Sequence, residues 1–225
     1  TPGAEVKVGY LGGSITAQNG WRVQTLAHFK KAYPQATFAE INAAIGGTGS
    51  DLGVFRVRQD VLSKGPDLLF VEFAVNDGGA DAQRIIRCME GIVRQIRKAN
   101  PHTDICLIYT INEGMLKDLQ AGKPPRFGSV METIANAYGI PSIDLGVEIA
   151  KREQAKTLIF KAKGWQNGNL VFSEDGTHPI EAGHAIYRDT VVRSMFQMMP
   201  HDQAKAHALP QPLEPRCWEN ATTAP

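Results

Sequence analysis

Five short runs of almost unbroken apolar residues recur through the chain: Val6–Leu11, Thr37–Ile41, Leu68–Phe73, Ile105–Ile111 and Ile140–Leu145. A strand with one wet face alternates apolar and polar residues, whereas continuous runs of this length describe strands covered on both faces. Stretches of helical period lie between them. Ile85, Ile86, Met89, Ile92, Val93 and Ile96 form one stripe, which ends before Asn100-Pro101. Phe127, Val130, Met131, Ile134, Ala135 and Tyr138 form a second, closed by Gly139. Ala185, Ile186, Val192, Met195, Phe196 and Met199 form a third, preceded by Pro179 at a helix-opening position. Strands alternating with helices imply right-handed crossovers, which put helices on both faces of a parallel sheet. The expected fold is α/β: a three-layer α/β/α sandwich around a five-stranded parallel sheet, flavodoxin-like in type.

At 225 residues the chain suits one domain, with an appendage. Apolar periodicity stops near Pro200, and Pro210, Pro212 and Pro215 punctuate a polar segment beyond it. The expected division is one α/β domain over 1–200 and a proline-rich tail or linker over 201–225. Formal charge is +1, with acids and bases interspersed, which argues against a nucleic-acid partner, since phosphate binding needs concentrated basic surface. No apolar run approaches the ~20 residues that span a bilayer. Cys88, Cys106 and Cys217 show no metal-ligand or C-x-x-C spacing, so the first two read as buried, unreactive thiols. The chain opens at Thr1 with no leader, as a mature form or an excised piece would. Asn220-Ala221-Thr222 is a glycosylation sequon, meaningful only in a secreted eukaryotic protein.

Four segments carry chemistry. They are Gly12-Gly13-Ser14-Ile15-Thr16, Asn42-Ala43-Ala44-Ile45-Gly46-Gly47, Val75-Asn76-Asp77 and Asp175-Gly176-Thr177-His178. The first three directly follow the first three apolar runs, and the fourth precedes the last helical stripe. In open α/β sheets, ligands bind beyond the carboxyl ends of the strands, so all four reach one edge. A serine hydroxyl near neutral pH needs a base to take its proton. His178 can serve through one ring nitrogen while Asp175 accepts from the other, fixing the tautomer. Attack on an ester puts charge on the carbonyl oxygen, and each pre-aimed donor there contributes about 3–4 kcal/mol. The candidate donors are the Ser14 amide, the Gly47 amide and the Asn76 side chain, with Gly46 an alternative to Gly47.

These segments, in this order, resemble the signature blocks of the SGNH hydrolase superfamily, the GDSL-type lipases and esterases. The resemblance spans roughly residues 6–198. It implies Ser14 as nucleophile, Gly47 and Asn76 in the oxyanion hole, and His178 as base with Asp175 three residues before it. Two positions depart from the usual pattern: Gly13 stands where Asp is common, and Ala74 where Gly is common. Neither removes a reacting group. Thr16 occupies the fifth position of what would be a G-x-S-x-G elbow, so the α/β-hydrolase pattern does not apply.

His28, His102, His184, His201 and His207 read as surface or helix-face residues, and no H-E-x-x-H occurs, so no metal or other cofactor is expected. Asp77 and Asp81 flank glycines without the remaining ligands of a calcium loop. Substrate contacts are expected from Trp21, Arg126 and Trp165. The stretch Gly164-Trp165-Gln166-Asn167-Gly168-Asn169 pairs an indole with amides, which suits the face and hydroxyls of a sugar ring. The expected function is a serine esterase acting on short acyl esters, above all O-acetyl groups on carbohydrate. The partner is then a small-molecule or glycan ester, met in a secreted or periplasmic setting. Rival readings keep the site in a lysophospholipase, thioesterase or acyltransferase, or drop catalysis for glycan binding on the same scaffold. Oligomeric state is not legible.

Overall fold

A computed structural model of the chain describes residues 3, 5–164, 166–199 and 205–222. The elements, in chain order, begin with β1 (Glu5–Gly12), α1 (Ser14–Ala17), α2 (Trp21–Ala32), β2 (Thr37–Ala44), α3 (Ser50–Asp60), β3 (Leu68–Glu72) and α4 (Ala82–Ala99). Next come β4 (Asp104–Tyr109), α5 (Leu116–Gln120), α6 (Arg126–Tyr138), β5 (Ser142–Asp144), α7 (Gly146–Gln154), β6 (Ile159–Lys161), β7 (Val171–Ser173) and α8 (Glu181–Met198). The first five strands form one parallel sheet in the order β2-β1-β3-β4-β5.

Alternate side chains of each strand feed two cores, one on each face. Leu69, Val71 and Phe73 pack with α3, α4 and α6, whereas Tyr10 and Phe70 pack with α2, α7 and α8. Each fully buried large side chain contributes about 1.5–3 kcal/mol, which is why the apolar runs are continuous. Asp81 caps α4 by accepting from the Arg84 amide (2.8 Å), and Gly139 ends α6 in a left-handed conformation (φ +59).

Three features differ from the sequence expectation. The helices α2 and α3 carry no clean apolar stripe in sequence, because their buried faces include Arg22, Thr25, Ser50 and Arg56. The Asp175–His178 segment follows not a strand of the main sheet but β7, half of a separate two-stranded parallel sheet with β6. Residues 205–222 form no helix or strand, as a tail would, yet they are docked along α4. The buried Glu90 carboxylate accepts the Leu213 amide (2.6 Å), the Glu214 amide (2.9 Å) and the Tyr138 hydroxyl (2.6 Å). Arg94 binds Glu219 and the Pro210 carbonyl (2.6 Å), and Trp218 packs tilted against Phe55 with the Arg87 guanidinium over its ring. Gly91 makes room, since a Cβ there would lie 2.8 Å from the Trp218 backbone. Periodicity cannot register a segment held by backbone amides and a single indole. Among the described residues no helix is long and apolar enough to cross a membrane.

Candidate active site

The carboxyl ends of β1, β2 and β3 carry the first three segments to one edge, and β7 brings the fourth against them. Ser14 opens the single turn α1, directly after Gly12 ends β1. Its Oγ lies 2.7 Å from His178 Nε2, and His178 Nδ1 lies 2.6 Å from Asp175 Oδ2. An ionised carboxylate only accepts, so the proton sits on Nδ1 and the Nε2 lone pair faces the serine hydroxyl.

Asp175 divides its two oxygens between structure and chemistry. Oδ1 accepts from the Thr177 amide (2.8 Å), the His178 amide (2.8 Å) and the Ser173 hydroxyl (3.0 Å), leaving Oδ2 for the ring. The hydrogen bond from His178, followed by those from the two amides and Ser173, holds the Asp175 carboxyl well below the usual range. Ser173 is fully buried and also accepts from the Gly176 amide (2.9 Å), so it braces the turn from inside. Gly176 adopts φ +88, and its carbonyl accepts from the Glu113 amide (2.8 Å). That bond ties the acid–histidine turn to the loop after β4. Above it the Glu113 carboxylate pairs with Lys161 Nζ at 2.9 Å.

The two loops expected to carry oxyanion donors lie beside residues 13 and 14. The Asn76 side chain lies against Gly13: a Cβ on Gly13 would come within 2.1 Å of Asn76 Oδ1, so a larger residue there would displace the amide. The Gly46–Gly47 backbone passes on the other side, with the Gly46 Cβ position 3.6 Å from Ser14 Cβ. Gly47 follows at φ +73 with open space around it. The Ile45 amide anchors this loop to the Gly12 carbonyl (3.0 Å).

Asp77, adjacent to Asn76, joins the two donor loops. Its buried carboxylate accepts from the Ser50 amide at 3.1 and 3.3 Å, at the first turn of α3 just past Gly47. Burial pushes its pKa up, offset by these bonds. In sequence this aspartate belongs to the third segment without a role of its own, whereas in the fold it ties that segment to the residues just past the second. His184, expected as a surface or helix-face residue, lies on α8 and is buried. Its Nδ1 accepts from the Trp21 amide (3.2 Å) and Nε2 meets Gln18 Oε1 (3.1 Å), with the ring packed on Gly20. Burial, and then the charge of His178, push its pKa down to about 4, so it is neutral and links α8 to the stretch behind the nucleophile.

The expected substrate contacts fare differently. Trp21 is not in the cleft: it is fully buried, its ring edge-on to Tyr10 (5.5 Å) and Phe70 (5.9 Å). It stands on the sheet-facing side of α2, where a large indole fills core volume. Arg126 opens α6 with its side chain exposed. Trp165 lies outside the described residues, as does His201.

The GDSL-like lipase/acylhydrolase family model matches residues 10–186. No curated protein matched the chain in sequence. Among solved structures, a two-domain esterase active on acetylated mannans superposes with TM-score 0.76 at 26% identity, over 96% of this chain and 55% of that one. The chain thus spans about half the length of that relative. A lipase/acylhydrolase from Enterococcus faecalis superposes with TM-score 0.65 at 18% identity, over 89% and 98% of the two chains. An acetylxylan esterase from Geobacillus stearothermophilus gives 0.61 at 20%, over 86% and 95%. The last two share the fold.

Proposed function

The chain belongs to the GDSL-like lipase/acylhydrolase family, and from that premise we propose that it is a serine esterase removing acetyl groups from carbohydrate through an acyl-enzyme on Ser14. The observation that carries this reading is the continuous relay from Asp175 Oδ2 through His178 to Ser14 Oγ, at 2.6 and 2.7 Å.

Ser14 Oγ attacks the ester carbonyl while His178 Nε2 takes its proton, and Asp175 stabilises the imidazolium that forms. The carbonyl oxygen, now negative, is held by the Ser14 amide, the Gly47 amide and the Asn76 side-chain amide. Collapse expels the sugar alkoxide, which takes the proton back from His178. Water then enters, gives a proton to the same nitrogen and attacks the acetyl-serine. A second collapse releases acetate and restores the Ser14 hydroxyl.

The likeness to an esterase active on acetylated mannans supports the choice of substrate. So does the polar character of the surface nearby: Gln18 and Asn19 are exposed, and Glu113 and Lys161 stand over Gly176. Such groups hydrogen-bond sugar hydroxyls in place of water. Trp165 and Arg126 are the side chains we assign to contact with the glycan, and a secreted or periplasmic location accords with such a substrate. The test is acetate release from acetylated manno- and xylo-oligosaccharides, run beside 4-nitrophenyl esters of two, four and eight carbons. Acetate from the sugars and a preference for the two-carbon ester support the reading. Preference for the eight-carbon ester would move the assignment to a lipase or lysophospholipase.

A further inference from the structure

Glu72 ends β3, where it pairs in register with Gly12, and its side chain is 1% exposed. Nothing in the relay uses it. Its Oε2 accepts from the Thr16 hydroxyl (2.8 Å) and its Oε1 from the Thr110 hydroxyl (2.7 Å). The Gly13 backbone N–H adds to the groups that favour its charged form. No cation is among these partners; Asp77 and the buried Tyr187 hydroxyl are the titratable groups whose fields it shares.

A buried carboxylate without a cation is a costly choice for packing alone, since an apolar residue of similar size would fill the volume. What the carboxylate adds is a set of fixed points. Thr16 comes two residues after Ser14 and Gly13 immediately precedes it, so the Thr16 bond and the Gly13 N–H lie on either side of the serine in the chain. The element between them, α1, is a single turn of 4 residues. A lone turn has too few hydrogen bonds to hold itself, and the glycine before it is conformationally free. Thr110, past the end of β4, locks the same carboxylate to the neighbouring strand.

We propose that Glu72 is a positioning residue for the nucleophile: anchored beneath residues 13–16, it keeps Ser14 Oγ on His178 Nε2 and the Ser14 amide aimed at the ester oxygen. The inference deepens the esterase reading above and rests on it. Its action is on the reacting geometry, so its loss should appear in the chemical step and not in substrate binding.

The experiment compares the wild type with Glu72→Gln, Thr16→Val and the double variant. Steady-state kcat and KM for 4-nitrophenyl acetate are measured, together with the rate at which a fluorophosphonate adds to Ser14, followed by intact mass. Near-ultraviolet circular dichroism reports the fold. The expected result for folded Glu72→Gln is a kcat and a labelling rate each lower by about tenfold or more, with KM within about threefold. Thr16→Val falls in the same direction, and the double variant is no worse than Glu72→Gln, because both changes act through one bond. Wild-type kcat and labelling in folded Glu72→Gln, or a raised KM at unchanged kcat, overturns the proposal. If Glu72→Gln does not fold, Thr16→Val is judged by the same two criteria. A wild type that neither hydrolyses the ester nor takes the label overturns the esterase reading itself, and Glu72 with it. An active wild type matched by its variants overturns only the role of Glu72.

Discussion

His178 Nδ1 stands 2.6 Å from Asp175 Oδ2, while the other oxygen of the same carboxylate is already engaged by the amides of Thr177 and His178. The acid is therefore fixed by backbone before it orients the base. Asp175→Asn keeps the shape and loses the obligate acceptor, since its amide end can donate to the ring and select the wrong tautomer. The expected outcome is a kcat lower by roughly 10³–10⁴-fold with little change in KM, measured on 4-nitrophenyl acetate. A loss below tenfold would remove Asp175 from the relay.

The two donor loops make a second prediction. Asn76→Ala removes one oxyanion donor and should lower kcat by about 10²–10³-fold at nearly constant KM. Gly47→Ala forces a side chain into φ +73, at a cost of about 1–2 kcal/mol, and moves the amide it carries. Both are read from steady-state kinetics beside a thermal melt. Asn76→Ala should leave the melt unchanged, and Gly47→Ala should lower it.

His184 predicts a pH dependence of stability. Its folded pKa, about 4, lies below the ordinary histidine value near 6.5, so the unfolded chain binds its proton first as pH falls. The stabilisation is complete above about pH 6.5 and is lost progressively down to about pH 4, by about 3 kcal/mol in all. Urea melts across this range should show the slope in the wild type and a flatter profile in His184→Asn. An equal slope in both would place the titration elsewhere.

Removal of residues 205–225 should destabilise the remaining domain. Two of the three donors to buried Glu90 come from Leu213 and Glu214, and Arg94 would lose Glu219. Leaving such groups unpaired costs about 3–5 kcal/mol, or about 10 °C in calorimetric Tm for a domain of this size. An unchanged Tm in the shortened chain would show that the segment is a passive tail.

The main sheet is legible in the sequence because its strands are covered on both faces, so continuous runs such as Leu68–Phe73 announce them. The relay is legible because Ser14, Asp175 and His178 sit in short local patterns whose order carries meaning. Trp21 departs from expectation because proximity to Ser14 in sequence says nothing of which side of α2 an indole takes. The roles of Glu72, Asp77 and His184 are illegible for a common reason: each is a buried polar group, and its partners lie 27 to 166 residues away. Such long-range satisfaction of buried groups leaves no periodic trace. The one signal that marks Glu72 is a charged residue at the end of a run, Leu68–Phe73, that is otherwise apolar.

The nucleophile and its base belong to different sheets. Ser14 is carried by β1, an inner strand of the five-stranded sheet, whereas His178 follows β7 in the two-stranded one, where Phe172 packs on Phe160 and Tyr187. A smaller sheet of short strands is the part that loosens first on warming. A separation of a few tenths of an ångström is enough to weaken the contact between Ser14 and His178, long before any helix melts. Heat should therefore silence this protein in two stages, with turnover fading reversibly at temperatures where its circular dichroism is still that of the native state.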